Sequence, residues 1–171
     1  MTRTAMPHAA RGRPDTRRTA AERRALLLVT TGLLHDALGH LFRRAHLRSQ
    51  AAFAKAFDGV GISPLQYGIL ELAMLNPGIT HSEIAEAMVT APSVVTTAMK
   101  PLLDDGLLEK RADHGDGRCV GCHLTQAGQD FMVMFGERIL DAEALLLAPL
   151  SPAQRRSLKR LLQRLAQAPK L

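Results

Sequence analysis

Hydroxyl, methyl and ammonium groups gather at Ser93, Thr96, Thr97 and Lys100, spaced so that one side of a single helix carries them while Val95, Met99 and Leu102 take the other. The outward side is small, polar and slightly basic, which suits the major groove of DNA, where bases are read by hydrogen bonds and methyl contacts. Further along, Asp116 and Arg118 lie in Asp113-His114-Gly115-Asp116-Gly117-Arg118, a polar, glycine-rich stretch that can form a tip and swing beside DNA.

A second group, Cys119-Val120-Gly121-Cys122-His123, has the literal spacing of a c-type haem attachment site. Such sites belong to exported proteins, and the N-terminus lacks an apolar signal core. A strand would also point alternate side chains to opposite faces. The same geometry works against zinc held by His114, Cys119, Cys122 and His123, because a strand does not converge its ligands on one ion. Arg118 and His123 could lower a thiol pKa and make a redox switch, but reduced thiols in an ordinary strand are the simpler expectation. His35, His40 and His46, five and six residues apart, do not stack as metal ligands on one helical face. No cofactor or metal is expected. No glycine-rich phosphate loop follows a strand and no G-x-S-x-G occurs, so the chain does not read as an enzyme.

Positioning these groups requires two helices and a hairpin. Thr80-His81-Ser82-Glu83 is a capping box, and Ile84, Ala85 and Met88 supply the apolar stripe of a short helix. Thr90 can cap and Pro92 can open the next helix, which stops where Gly106 can take the left-handed conformation. Leu107 to Arg111 and Cys119 to Leu124 then pair as strands around the tip. Upstream, Thr19-Ala20-Ala21-Glu22 predicts a helix start, and apolar spacing continues to Phe57 with Gly32 and Gly39 as bends. Ser63-Pro64 starts a helix that ends at Asn76-Pro77-Gly78, with Tyr67, Leu70 and Met74 inward. Thr125 caps a helix carrying Phe131, Phe135, Ile139 and Leu146 to about Pro149. Ser151-Pro152 caps the last one, with Leu158, Leu161, Leu162 and Leu165 along one face.

Ile62-Ser63-Pro64-Leu65-Gln66-Tyr67-Gly68-Ile69-Leu70, the helix-turn-helix, Gly106-Leu107, the Arg111, Asp113 and Asp116-Gly117-Arg118 pattern, and Leu124-Thr125-Gln126-Ala127-Gly128 together resemble the MarR family of winged-helix transcription regulators. The resemblance covers roughly residues 22 to 166. It implies a mainly α fold: a winged helix-turn-helix DNA-binding domain over 62–124 with a small β-hairpin wing, and a helical dimerisation body from 19–57 and 125–171. A homodimer would bind a palindromic operator in double-stranded DNA, most simply as a repressor released by a small molecule. The helix from about Thr90 to Leu103 would read the major groove, and Asp116 would hold Arg118 toward the minor groove. The family's effector site, between body and winged domain, maps to His35, Leu38, Gly39, Phe42, Tyr67, Leu70, Phe131 and Phe135. Tyr67, an apolar ring with a hydroxyl, suits an aromatic acid or phenol there and equally a core hydrogen bond. Two residues depart from the family: the family often has arginine at the position of Thr97, and Pro101 should kink or tighten the reading helix.

The 171 residues suffice for one domain with extensions, and no run of about 18 apolar residues predicts a membrane span, so a cytoplasmic protein is expected. Two cysteines three positions apart cannot staple such a fold. Of the net charge of +6, residues 1–24 hold +5, from seven arginines against Asp15 and Glu22, which leaves +1 for the rest. Residues 1–18 lack apolar periodicity and read as a basic arm, either a solvated tail, a remnant of expression, or a segment that touches DNA phosphates. Three rivals stand beside the ligand-responsive regulator: a thiol-redox or metal-responsive regulator on the same scaffold, a nucleoid-type protein that reads no sequence, and a haem carrier.

Overall fold

The helix starts marked by Ser63, Thr80 and Ser151 all close as capping boxes in the computed structural model, which describes residue 34, residues 36–112 and residues 120–167. Among the described residues the order is α1 (Leu38–Ala56), α2 (Pro64–Leu75), β1 (Ile79–Thr80), α3 (His81–Ala87), α4 (Pro92–Asp104), β2 (Leu108–Ala112), β3 (Val120–Leu124), α5 (Gln126–Phe135), α6 (Arg138–Leu147) and α7 (Pro152–Ala166). The expected Thr19 cap lies outside the described residues. The chain divides into two units between Phe42 and Arg43, and the buried core belongs to the second.

At Thr80 the box is tight: the Thr80 N–H donates to the Glu83 carboxylate at 2.8 Å, and the Glu83 N–H donates to the Thr80 hydroxyl at 3.3 Å. The backbone N–H of Thr80, and after it the Thr80 hydroxyl, hold the Glu83 carboxyl below its ordinary pKa. A lowered folded-state pKa stabilises the protein above the unfolded value, about 4.3, and that contribution is lost as pH falls through the folded value. Glu83→Gln keeps an acceptor that does not titrate. Between about pH 5 and pH 3 the urea midpoint of the wild type should therefore fall more steeply than that of Glu83→Gln; parallel profiles would count against the assignment.

The three strands form one antiparallel sheet in the order β1-β3-β2, with Leu108 opposite Leu124, Lys110 opposite Cys122 and Ile79 opposite Cys122. Alternation turns Cys122 and Leu124 inward, against a core that contains Ile69, Leu70, Ile84, Val95, Met99 and Leu108. Strand β1 has no counterpart among the sequence expectations. It takes its place because Gly121 lets it approach: a Cβ there would lie 2.6 Å from the Gly78 carbonyl oxygen.

Three sequence expectations need correction. Thr90 does not cap α4; the N-cap is Ala91, with no side-chain bond, and Pro92 at the first turn removes one of the N–H groups that would need a partner. Met74 is 44% exposed, because the buried face of α2 passes through Tyr67, Ile69, Leu70 and Ala73 instead. The segment from Thr125 to Pro149 is two helices, broken at Gly136-Glu137. There the ladder tightens, with Ile139 N–H donating to the Gly136 carbonyl and Leu140 N–H to the Glu137 carbonyl, and glycine is a weak helix former at that point.

Side chains fix the remaining helix ends. Arg48 donates from Nε to the Leu146 carbonyl at 3.0 Å and from Nη2 to the Leu145 carbonyl at 3.1 Å, closing α6. Arg138 reaches the Ala56 and Asp58 carbonyls, both at 3.3 Å, and its guanidinium lies 5.1 Å from the Phe135 ring centre. By contrast, α7 has no buried residue: Leu161 and Leu165 are 57% and 59% exposed.

Candidate nucleic-acid interface

The turn between α3 and α4 is made by a residue in an unusual conformation. Val89 has φ of +49° and is almost fully exposed, so the tight reversal is achieved with a β-branched residue in the left-handed region. After it, Val95, Met99 and Leu102 bury the inner side of α4 as expected, and Ser93, Thr96, Thr97 and Lys100 are all exposed on the outside. Pro101 does not end the helix, which continues to Asp104; the proline only denies the Thr97 carbonyl its usual donor. Gly106, with φ of +67°, then stops it in a Schellman arrangement, Leu107 N–H donating to the Leu102 carbonyl and Gly106 N–H to the Leu103 carbonyl.

Both threonines of the outer face use their hydroxyl protons within the protein. Thr97 Oγ1 donates to the Ser93 carbonyl at 3.0 Å, and Thr96 Oγ1 donates to the Pro92 carbonyl at 3.1 Å. His81 Nε2 lies 2.9 Å from Thr96 Oγ1. A hydroxyl has one proton, so with that proton on Pro92 the imidazole must donate through Nε2–H. His81, at the start of α3, thereby ties the first helix of the pair to the outer face of the second. Sequence spacing does not single it out, although its place in the capping box, fifteen residues before Thr96, puts it on the right side. Nor does spacing single out Val94, which is 45% exposed on α4, or Lys110, exposed on β2.

The strands of the wing form as expected, with Glu109 and Arg111 paired on β2. Asp116, Arg118, His114 and Cys119, on which the tip and metal readings depend, lie outside the described residues. Thr125 braces the base of the wing. Its hydroxyl donates to the Gly106 carbonyl at 2.5 Å and accepts the Gly128 N–H at 3.0 Å, while its own N–H donates to the Leu107 carbonyl at 3.2 Å.

Cys122 fits the ordinary strand cysteine better than the redox switch. The thiol is 1% exposed, and burial raises its pKa, with Lys110 opposing by a smaller amount. A raised pKa means little thiolate near neutrality, the reverse of a redox sensor. In a Cys119→Ser protein, Cys122 should react with a thiol reagent only after denaturation; rapid labelling of the native protein would contradict the burial. No group of three or more His, Cys, Asp or Glu residues could hold a metal ion among the described residues.

The residues expected around an effector are unevenly placed. Tyr67 is 6% exposed, donates its hydroxyl to the Gly136 carbonyl at 3.4 Å, and stands edge-on to Phe57 at 5.4 Å; burial, and after it Glu71, raises its phenol pKa. Leu70 is fully buried. Phe131 and Phe135 are half-buried and tilted together at 4.9 Å. Leu38 and Phe42 are exposed in the N-terminal unit, and His35 lies outside the described residues.

Comparison with known proteins gives a consistent result. A model of the MarR family matches residues 62–120. The HTH-type transcriptional repressor Rv2887 of Mycobacterium tuberculosis is 27% identical over 135 residues, 78% of this chain and 97% of that protein. The transcriptional repressor CouR, solved bound to a 23-mer DNA duplex, is 25% identical with a TM-score of 0.74, over 80% of this chain and 97% of that one. The PcaV regulator from Streptomyces coelicolor, solved in complex with its natural ligand, is 28% identical with a TM-score of 0.68, over 76% and 92% of the two chains.

Proposed function

Because the chain belongs to the MarR family of DNA-binding transcriptional regulators, we propose that it is a repressor that binds a palindromic operator as a homodimer and is released by a small molecule. The observation that carries this reading is the helix-turn-helix itself: α4 is anchored by Val95, Met99 and Leu102 and leaves Ser93, Thr96, Thr97 and Lys100 free to enter a major groove. Two reading helices set one DNA turn apart, about 34 Å, match an inverted repeat. The exposed leucines of α7 support the dimer, since an apolar helix face needs a partner. Arg118 on the wing tip, with Asp116 beside it, is proposed to add backbone or minor-groove contacts. A cytoplasmic location goes with this reading.

The effector is proposed to be an aromatic acid or phenol, recognised near Tyr67, Leu70, Phe131 and Phe135. CouR, solved bound to p-coumaroyl-CoA, and PcaV, solved with its natural ligand, support ligand response as a mode of control. Leu70 can take part only through packing, because it has no exposed surface. A ligand acts by binding the operator-competent and incompetent forms unequally. The basic arm of residues 1–18 is proposed to add phosphate contacts to any DNA.

Selection of binding sites from random duplexes tests the function. The wild type should enrich an inverted repeat, and Thr97→Ala should change base preference at defined positions in each half-site, by about 1–3 kcal/mol for each base that Thr97 reads. Identical selected sites for the two proteins would show that this face of α4 does not read DNA.

A further inference from the structure

We propose that Val94, with the γ-methyl of Thr97, reads thymine C5-methyl groups, so that A·T pairs rather than G·C pairs are preferred in the operator where the first turns of α4 face the bases. The inference rests on α4 being the reading helix and goes beyond it to how that helix chooses its bases.

Val94 and Val95 are consecutive, so one of them must turn away from the core. Val95 is fully buried and Val94 is 45% exposed. Val94 is not isolated on the surface. Together with Leu65 of α2 and Ser93, Thr97 and Ala98 of α4 it lines an open groove along the reading helix. This apolar strip is continuous with the polar face, because Ser93 and Thr97 belong to both. A helix that inserts its N-terminal half into a major groove would bring the strip against base edges.

The donor inventory points the same way. The Thr96 and Thr97 hydroxyl protons are held by the Pro92 and Ser93 carbonyls. What each threonine offers outward is a methyl group and oxygen lone-pair capacity, two lone pairs on Thr97 and the one that His81 leaves on Thr96, an acceptor without a donor. Guanine presents two acceptors, N7 and O6, in the major groove and is best met by a bidentate donor such as arginine. On α4 the exposed donors are the Ser93 hydroxyl and the single ammonium of Lys100. Thymine presents a methyl group that aliphatic side chains can cover, and its partner adenine presents an N6 amino donor that a threonine oxygen can accept. The combination of Val94 with two donor-less threonines therefore fits A·T and leaves guanine acceptors unmet.

Replacing thymine by deoxyuridine in the selected operator deletes only the methyl group. For the wild type, one or two such replacements per half-site should each weaken binding about fourfold, and about fifteenfold when both half-sites are changed together, as expected for one buried methyl group. In Val94→Ala, which removes an exposed side chain and should keep the wild-type melting temperature, the same replacements should change affinity less than twofold. If no deoxyuridine replacement weakens the wild type, while Lys100→Ala or Val94→Gln still shifts the selected sequence, α4 reads DNA without methyl contacts and the inference is overturned alone. If none of the Val94, Thr97 and Lys100 variants changes the selected sequence, the assignment of α4 as the reading helix is overturned with it.

Discussion

Leu161→Glu combined with Leu165→Glu is expected to convert the proposed dimer into a folded monomer and to abolish tight operator binding. Both side chains are more than half exposed in the single chain, and α7 buries none of its residues there, so the substitutions remove nothing from the subunit's own core. Full burial of an exposed leucine is worth about 1.5–3 kcal/mol; with Leu161 and Leu165 57% and 59% exposed and twofold symmetry doubling two leucines to four, the interface would gain on the order of 3–7 kcal/mol from them. Four buried carboxylates would oppose association further. A subunit left alone can hold only one half-site, which removes an avidity on the order of 10²–10⁴. Sedimentation velocity and operator titration on the same sample check both parts; a variant that stays dimeric would place the interface elsewhere.

Gly128→Ala is expected to be the most damaging single methyl in the described part of the fold. An added Cβ would lie 2.1 Å from the Leu107 carbonyl oxygen, far inside contact distance, and that atom is backbone that accepts the Thr125 N–H. Overpacking costs typically 1–3 kcal/mol where side chains can yield, and here the obstacle is a carbonyl fixed between the end of α4 and the base of the wing. A loss of about 3 kcal/mol or more in urea unfolding is the expected result. Gly68→Ala is the internal control: its Cβ would meet only the flexible end of Met88, so it should cost less. Equal losses for the two would mean that the Leu107 carbonyl is free to move aside.

Local chemistry explains what could be read from the sequence. Ser63, Thr80, Thr125 and Ser151 each cap a helix with a partner three residues away, and Gly106 stops α4 by its own backbone freedom, so these features needed no knowledge of the fold. The inner face of α4 was legible for the same reason: Val95, Met99 and Leu102 repeat at helical spacing. Long-range features were not legible. Strand β1 is two residues held by pairing with Cys122 and Gly121, some forty residues later in the chain, and no periodicity can announce it. The break at Gly136 sits inside an apolar pattern that runs through it, and the glycine alone does not decide it; the tightened hydrogen bonds do.

The candidate interface divides in the same way. Exposure of Ser93, Thr96, Thr97 and Lys100 followed from spacing, but the direction of the threonine hydroxyl protons depends on the Pro92 and Ser93 carbonyls one turn back. His81 escapes a reading of single helices because its partner Thr96 lies on the neighbouring one. Val94 escapes any reading that turns every apolar residue inward, although two adjacent valines on a helix cannot both face one core. For Cys122, the sequence left an activated thiol as the lesser alternative to an ordinary strand cysteine, and burial, which raises its pKa, favours the latter.

Sequence-specific reading of DNA by α4 is tested most directly by the ratio of affinities for a selected operator and for a random duplex of equal length, at one fixed salt concentration near physiological. A specific regulator should bind its operator tighter by a factor of about 10³ or more. That ratio should fall sharply when Thr97 and Lys100 are both replaced by alanine, with random-duplex affinity much less affected. A wild-type ratio near one would contradict the regulator reading and describe instead a protein that coats DNA through phosphate contacts alone.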